Sequence, residues 1–425
     1  MTVQSDLRRR YVQLGVLVLA SGVIYPLLYM RQNFEVSMLE AFQITNTQLG
    51  QCYSLLGVLF FVSYLPSGWL ADRFTPRVLL TFSLAMTGVL GLWYWTLPPF
   101  WAMQVIFAGW GVTTGLTFWA ALIKETNMLA GADQQGRFFG ILEGGRGVVE
   151  ATLASIVVAW FAWSLSNMDA STPQALREVI LIYIAVLLFM APVTWIALGD
   201  ATTGEAQAAD DDQAHSTFSD LKRVLSNEQV WLASACILCG YALFYATYSF
   251  AGFVQTELGL TAVMAGWVTV GRMWMRPIGG VLAGFIGDHY QVDKVLTVFL
   301  AFSGIGLASM IFLPAGGALM MSLVVVLVVS TLTYAVRGIY WGTLEACAVP
   351  ARARGLAIGI ISLVGYSPEI WVPLLNGYFL DAYPGRTGYA YFYGTVAMLG
   401  GVGALAGYRL VITSRRILDE SANAH

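Results

Sequence analysis

The fold is decided by residues 68–77, which read GWLADRFTPR and separate two long apolar segments. A degenerate copy of this stretch, GFIGDHYQVDK, stands at residues 284–294, about half the chain further on. The glycine permits close approach of helices, and the charged side chains can pair or cap helix ends on one side of a membrane. The repeat therefore predicts two equivalent halves, each built from helices that this stretch connects.

The composition is that of an integral membrane protein. Of the 425 residues 57% are hydrophobic and 11% are charged, and the mean hydropathy is +0.68. Soluble domains carry about 25% charged residues. Apolar runs of roughly 20 residues, each able to cross a bilayer as a helix, recur along the chain. We predict an all-α membrane protein with twelve transmembrane helices in two pseudo-symmetric six-helix halves. The predicted spans are 11–38, 48–71, 77–97, 101–126, 138–163, 177–198, 229–256, 261–287, 294–314, 319–346, 354–379 and 387–412.

A polar stretch divides the chain into an N-terminal half, a cytoplasmic linker with an amphipathic piece at Phe218–Leu225, and a C-terminal half. The three segments are 1–198, 199–228 and 229–425. Six Lys and Arg residues are assigned to the spans; of the other sixteen, fourteen are assigned to the predicted inner loops and tails and only Arg177 and Arg386 to the outer loops. This bias predicts a multi-pass protein of the bacterial inner membrane with both termini in the cytoplasm.

Several classes of function are excluded by what the sequence lacks. A net charge of −3 provides no excess of positive charge that would bind nucleic acid. There is no phosphate-cradling loop for ATP. The three histidines, His215, His289 and His425, fall in loops or at the end of the chain, which argues against a catalytic or metal-binding cluster. We therefore expect neither an enzyme nor a cofactor or metal site. The expected partners are the lipid bilayer and a small-molecule substrate, and the expected state is a monomer.

The pattern GxLADRxxxR at residues 68–77, between the second and third spans, resembles the signature of the major facilitator superfamily. The resemblance covers the whole chain. It implies a transporter whose two halves rock about a central site and alternate access to it. It also implies that the charged residues of the motif hold the cytoplasmic gate of the transporter closed.

Finer similarity points to the branch of the organophosphate:phosphate antiporters. It rests on YMRQNF at residues 29–34 and DRFTPRV at residues 72–78. Further matches in the second half are Leu344-Glu345, Arg352 with Arg354, and Gly365-Tyr366. The resemblance implies that Arg31 binds an anionic substrate group. The second binding arginine of that branch, in span seven, is missing here, because Phe244 stands at its place in a neutral, aromatic stretch.

Six cations fall inside or at the edge of the predicted spans: Arg31, Lys124, Arg146, Arg272, Arg276 and Arg337. A charge near the centre of a bilayer costs about 2.5–3.5 kcal/mol on insertion scales, so such residues usually face a polar interior. Arg272 and Arg276 lie one helical turn apart and repel each other unless an anion neutralises them. That anion is a substrate or a fixed carboxylate such as Glu369.

Arg337 lies among Tyr334, Tyr340 and Trp341, a setting that suits bidentate oxyanion binding as well as ordinary packing. We predict substrate binding by Arg31, Arg272, Arg276, Arg337, Tyr340 and Tyr245. Glu369 is predicted to carry a proton, or else to pair with Arg276 or Arg337. Salt bridges of a cytoplasmic gate are predicted for Asp72, Arg73, Arg77, Lys124, Glu143, Arg146, Asp288 and Glu345. Glu143, Arg146 and Glu150 share one helix face and can pair there.

These residues together predict a secondary active transporter, a symporter or an antiporter, of a small organic anion such as a sugar phosphate, sulfonate or carboxylate. Two alternatives stay open at the level of sequence. One is a proton-coupled carrier of neutral or cationic solutes, in which the arginines pair with Glu143, Glu150 and Glu369. The other is a transporter-like sensor that binds a ligand and signals through residues 199–228.

Overall fold

The computed structural model describes residues 3–130, 134–199, 218–313, 319–347, 349–350 and 353–423. Over these residues the backbone is helical apart from turns and short connections, and it contains no strand. The predicted all-α class is confirmed. Arg352, His215, His425 and most of the predicted linker lie outside the described residues.

Eighteen α-helices follow one another along the described parts of the chain. The first eight are α1 (Val3–Leu28), α2 (Arg31–Phe42), α3 (Asn46–Arg73), α4 (Pro76–Trp95), α5 (Phe100–Thr117), α6 (Trp119–Ala130), α7 (Gln135–Asn167) and α8 (Thr172–Ala197). The next five are α9 (Phe218–Leu225), α10 (Glu228–Ala246), α11 (Phe250–Thr256), α12 (Ala262–Tyr290) and α13 (Val292–Ser309). The last five are α14 (Leu319–Ile339), α15 (Thr343–Ala346), α16 (Arg354–Gly365), α17 (Pro368–Ala382) and α18 (Arg386–Asn423). Helix α9 coincides with the predicted piece at residues 218–225.

Residue contacts divide the chain into two compact units. The first unit is Met1–Thr203 together with Ala251–Trp274, and the second is Gly204–Phe250 together with Met275–His425. In the first unit α1 packs against α7 and α8, α3 against α5, and α4 against α8. In the second unit α10 and α13 both pack against α18, and α10 also packs against α16.

The packing of α13 on α18 depends on two glycines. A Cβ atom at Gly400 would lie 2.6 Å from the Cα atom of Gly304, and a Cβ at Gly304 would meet the backbone of Gly400 at 3.0 Å. Membrane helices use small residues to approach closely, because van der Waals packing rather than water exclusion drives their association. The two helices therefore touch backbone to backbone at this crossing.

Ten helical stretches among the described residues are long and apolar enough to cross a membrane. Helix α3, bent by 57° where Pro66 begins its second part, would be the eleventh. Helix α12 covers the remaining predicted span, 261–287. Its arginines at positions 272 and 276 lower its hydropathy, which explains why it is not among the ten. The helix continues through Pro277.

Within the described residues, five predicted spans are interrupted, although each was predicted as one continuous helix. The breaks fall at residues 29–30, 118, 247–249, 340–342 and 366–367. Prolines account for two of them, because proline lacks an N–H group and disfavours helical geometry at the preceding residue. Pro26 lies in the last turn of α1, and Pro368 begins α17. The breaks at 247–249 and 340–342 are single 3₁₀ turns.

Candidate functional site

Arg337 lies in the last turn of α14, directly before the break at Tyr340–Gly342. Its guanidinium carbon is 4.5 Å from the ring centroid of Phe244 and 5.8 Å from that of Tyr241, both on α10. These are cation–π contacts, and the negative end of the α14 dipole also favours a cation here. Arg337 is partly exposed. Among the described residues it has no carboxylate partner within ion-pair distance.

Glu369 lies in the first turn of α17, on the other side of the break at 366–367, and is buried. The hydroxyl of Tyr241 donates a hydrogen bond to its Oε2 atom at 3.2 Å. The positive end of the α17 dipole favours a carboxylate at this position. One ring, that of Tyr241, thus contacts Arg337 on its face and Glu369 at its hydroxyl.

A group of hydrogen-bonding aromatic side chains lies next to these charges in the second unit. The hydroxyls of Tyr340 and Tyr366 are 3.3 Å apart, and Trp341 Nε1 donates to the hydroxyl of Tyr366 at 3.0 Å. The ring of Tyr366 meets that of Tyr241 edge-on, with centroids 5.0 Å apart. Tyr245, also predicted as a binding residue, is buried and packs against Tyr241. We call Tyr241, Phe244, Arg337, Tyr340, Trp341, Tyr366 and Glu369 the α10–α14–α17 cluster.

In the first unit the charge of Arg31 is neutralised by Glu35, which was not among the residues predicted from the sequence. Both Nε and Nη2 of Arg31 donate to Oε1 of Glu35, at 2.9 and 2.6 Å. The two side chains are 4% and 2% exposed, so the pair is fully buried. The i, i+4 spacing of Arg31 and Glu35 on α2 is the sequence feature from which this ion pair could have been predicted.

The break between α1 and α2 is closed by Tyr53 of α3. The Arg31 backbone N–H donates to the Tyr53 hydroxyl at 3.3 Å, and this hydroxyl donates to the Leu28 carbonyl at 2.9 Å. Unpaired backbone groups are costly inside a membrane, so an interrupted helix needs such a partner. Tyr53 therefore fixes Arg31 at the start of α2.

Arg272 and Arg276 fall into different units, because the division lies between Trp274 and Met275. Arg272 is fully buried in the first unit and donates from Nη2 to the side-chain oxygen of Gln32. Gln32, 240 residues away in sequence, is a partner that no local pattern indicates. Arg276 is partly exposed in the second unit.

Most of the predicted gate residues lie in the first unit. Lys124 Nζ donates to the Ala71 carbonyl at 2.8 Å and lies 3.6 Å from Oδ1 of Asp72. The guanidinium groups of Arg73 and Arg77 stack on tryptophan rings, with centroid distances of 4.0 Å to Trp69 and 4.1 Å to Trp195, respectively.

Arg146 is buried and pairs within its own helix. Its Nη1 lies 3.5 Å from Glu143 and its Nε lies 3.5 Å from Glu150. The ring centroid of Trp119 is 5.5 Å from its guanidinium carbon. The side chains of two further predicted gate residues, Asp288 and Glu345, lie outside what the structure describes. Within the described residues, no three His, Cys, Asp or Glu side chains are grouped so that they could hold a metal ion.

The cations of the described spans therefore differ chemically. Arg31, Lys124 and Arg146 each have a carboxylate partner, whereas Arg337 contacts the faces of two aromatic rings and, among the described residues, no carboxylate. A guanidinium presents five N–H donors that match a carboxylate or a phosphate in bidentate fashion. The α10–α14–α17 cluster can thus bind an anion at Arg337 and offer hydroxyl, indole and carboxylate groups to the rest of the ligand.

Comparison with known proteins gives a family and a fold. The family model of the Major Facilitator Superfamily matches residues 14–373. A crystal structure described as a bacterial homologue of the human lysosomal transporter Spinster covers 97% of this chain and 98% of its own, with 14% identity and a TM-score of 0.76. At that identity the likeness concerns the fold alone.

Three relatives carry informative names. "Inner membrane protein YqcE" of Escherichia coli (strain K12) is 28% identical, covering 91% of both chains. The "D-galactonate transporter" of Escherichia coli O6:H1 (strain CFT073) is 22% identical and covers 96% of this chain and 97% of its own. "Membrane sensor protein UhpC" of Escherichia coli (strain K12) is 23% identical over 67% of this chain and 66% of its own. Because the family model matches most of the chain, the protein belongs to the Major Facilitator Superfamily and is a membrane transporter rather than an enzyme.

Proposed function

We propose that this transporter moves a small organic anion, a sugar phosphate, sulfonate or carboxylate, and that Arg337 binds its anionic group. The observation that carries the proposal is the setting of Arg337, a partly exposed residue whose guanidinium contacts the faces of two aromatic rings and, among the described residues, no carboxylate. A cation held in an apolar span is costly unless an anion or a polar surrounding stabilises it. A transported anion would supply that stabilisation in each cycle.

The relatives support the same class of substrate and a location. One of them is named for a sugar acid, D-galactonate, and another for the inner membrane. We therefore propose an inner-membrane location for this chain, with both termini in the cytoplasm because of the distribution of positive charge. We also propose that the chain forms two halves, residues 1–198 and 229–425, joined by a linker at residues 199–228, and that the protein is a monomer.

Arg31, Arg272 and Arg276 remain proposed contributors to the positive field of the binding site. A substrate could reach Arg31 only by displacing Glu35, because the pair is buried. Tyr340 and Tyr245 remain proposed ligand-facing residues. The proposed gate consists of the pairs Lys124–Asp72 and Arg146–Glu143 together with Arg73, Arg77, Asp288 and Glu345.

Glu369 is the proposed proton carrier. It is buried and accepts a hydrogen bond from Tyr241, whose ring also contacts Arg337. A proton on this carboxyl would alter the field at Arg337 and so couple proton movement to anion binding. Glu369→Gln should retain exchange of labelled for unlabelled anion but lose accumulation driven by a pH gradient. Glu228→Gln, at an exposed carboxylate, is the control, and unchanged gradient-driven accumulation in Glu369→Gln would contradict the role.

The proposal is tested by counterflow into proteoliposomes. Vesicles with the purified protein are loaded with one unlabelled anion and diluted into the same labelled anion, using D-galactonate, glucose 6-phosphate and an alkyl sulfonate in turn. We expect saturable counterflow with at least one of them. Counterflow of neutral sugars or cationic compounds, with none for any anion, would contradict the proposal and favour the carrier in which the arginines are internally paired.

A second candidate function is ligand sensing, which the relative named as a membrane sensor favours. A sensor would bind an anion saturably without moving it. Equilibrium binding of labelled glucose 6-phosphate to the detergent-solubilised protein, together with an absence of counterflow for the same compound, would support sensing. Binding accompanied by flux would support transport.

A further inference from the structure

We infer that a cavity between α9, the start of α10 and residues 347–350 binds a phosphate group through Arg223 and Gln229. A phospholipid headgroup and a small soluble phosphate both offer this chemistry. We call this site the Arg223 cavity. It shares no residue with the α10–α14–α17 cluster, so the inference goes beyond the proposed function and does not depend on it.

The Arg223 cavity lies within the second unit and has a volume of about 180 Å³. It can therefore hold a group several times larger than a water molecule, which takes up about 30 Å³ in the liquid. Its polar lining consists of Arg223, Asn227 and Gln229, and its apolar lining includes Val224, Val349 and Pro350. Among the described residues, no Asp or Glu lines it. One guanidinium without a carboxylate favours an anionic ligand.

Arg223 and Gln229 provide the hydrogen-bond donors for that ligand. Among the described residues, neither side chain takes part in a hydrogen bond or an ion pair. The carboxylate next to Gln229 in the chain, that of Glu228, is bound by Arg409 at 2.7 Å. A guanidinium and a primary amide both present N–H groups, and the fork of an arginine matches two oxygens of a phosphate.

Asn227 holds the walls of the cavity in place. Its Oδ1 atom accepts from the backbone N–H groups of Gln229 and Val230, at 2.9 and 3.4 Å, and thus caps α10. Its Nδ2 atom donates to the carbonyl of Cys347 at 2.9 Å. The end of α10 is therefore already capped by the protein, and the groups left for a ligand are the side chains of Arg223 and Gln229.

The cavity lies where a membrane span begins. The apolar stretch that includes α10 starts at Glu228. One turn further on, Trp231 is 45% exposed, and its indole N–H donates to the Leu225 carbonyl at the end of α9 at 2.7 Å. Exposed tryptophans are typical of the membrane–water interface, the level at which lipid phosphates lie, and basic residues at this level attract anionic lipids. Since Arg223 is exposed, a soluble phosphate can also reach it.

Thermal unfolding of the purified full-length protein in detergent tests the inference in two arms. In the lipid arm, dioleoylphosphatidylglycerol is compared with dioleoylphosphatidylcholine at equal mole fractions. In the soluble arm, sodium phosphate is compared with sodium chloride at equal ionic strength. We expect a specific rise in melting temperature in at least one arm, of roughly 3–5 °C for each tenfold increase in ligand above its Kd. The arm that responds identifies the source of the phosphate group.

Two variants test the residues. Arg223→Gln removes a charged hydrogen-bond donor and should require at least about 10-fold more ligand for the same rise in melting temperature. Gln229→Ala removes a neutral donor and should require roughly 3- to 10-fold more. Lys222→Gln is the matched control, because Lys222 is an exposed cation in the same helical turn but does not line the cavity. It should respond like the wild type.

Three results would overturn the inference. The first is the absence of a specific rise in both arms. The second is an equal loss of response in Lys222→Gln and Arg223→Gln, which would indicate general attraction to surface charge. The third is a response that is lost in Arg337→Gln but kept in Arg223→Gln, which would place the phosphate at the proposed transport site. If Arg223→Gln is not produced in folded form, Gln229→Ala provides the same comparison.

Discussion

Glu35→Leu is expected to destabilise the first unit severely, whereas the double substitution Arg31→Met with Glu35→Leu is expected to restore most of the stability. The buried pair is the reason. Both N–H bonds of Arg31 converge on one oxygen of Glu35, and the two side chains are almost fully withdrawn from solvent. Removing Glu35 alone leaves a buried guanidinium without its carboxylate.

The magnitude follows from the burial of the pair. Breaking a buried ion pair by removing one partner costs about 3–5 kcal/mol, whereas replacing both partners by apolar residues of similar volume is often neutral or stabilising. For a cooperative unit of 150–250 residues, 1 kcal/mol shifts the melting temperature by roughly 2–4 °C. We therefore expect Glu35→Leu to melt about 6–20 °C below the wild type, and the double variant to melt within about 5 °C of it.

The assay is thermal unfolding of the purified protein in detergent, followed by tryptophan fluorescence, with circular dichroism to verify that each variant starts folded. Glu228→Leu is the matched control, because Glu228 pairs with Arg409 at 2.7 Å but both side chains are exposed. Exposed ion pairs contribute about 0–1 kcal/mol, so the control should shift by no more than about 4 °C. If the single and double variants lose the same stability, the explanation by an unpaired buried charge is refuted.

Two further predictions concern helix packing and the gate. Gly400→Ala should lower the melting temperature by several degrees, because the new Cβ would collide with the backbone of Gly304. The control is Gly401→Ala, where a new Cβ would have no atom within 4 Å, and it should leave the melting temperature unchanged or raise it. Equal effects in the two variants would contradict the close helix crossing. Asp72→Asn should change stability by less than about 1 kcal/mol, since Asp72 is 73% exposed in its pair with Lys124. A loss as large as that of Glu35→Leu would contradict this estimate for the exposed pair.

The length of the apolar runs was sufficient to predict helices along the described chain, since each run is long enough to cross a bilayer. The interruptions were not predicted, because a break of one or two residues leaves mean hydropathy unchanged. At residues 29–30 the break consists of Tyr29 and Met30, and at position 118 of Phe118, all of which fit an apolar helix equally well. Two of the breaks could have been predicted from the nearby prolines, Pro26 and Pro368.

The sequence alone singles out the charges of the proposed site and the nearby Tyr340 and Trp341, but it does not indicate Tyr241. Arg337 and Glu369 stand out in apolar segments, whereas Tyr241, which contacts both, comes from a helix about 100 residues earlier. The partner of Arg31, in contrast, was within reach of the sequence, because Glu35 follows at the helical spacing i, i+4. Gln32 could not be predicted from the sequence as the hydrogen-bond acceptor of Arg272, because only the tertiary fold brings these residues, 240 positions apart, into contact.

The central claim is that Arg337 binds the anionic group of the substrate. The most direct measurement is the half-saturating anion concentration in proteoliposome counterflow for the wild type, Arg337→Gln and Arg337→Lys. Arg177→Gln, at an exposed arginine, serves as the control. A charged hydrogen bond contributes about 1.5–3 kcal/mol, so Arg337→Gln should raise this concentration roughly 10- to 150-fold. Arg337→Lys should recover part of that loss, because it keeps the charge without the bidentate fork. An unchanged half-saturating concentration in Arg337→Gln would contradict the claim.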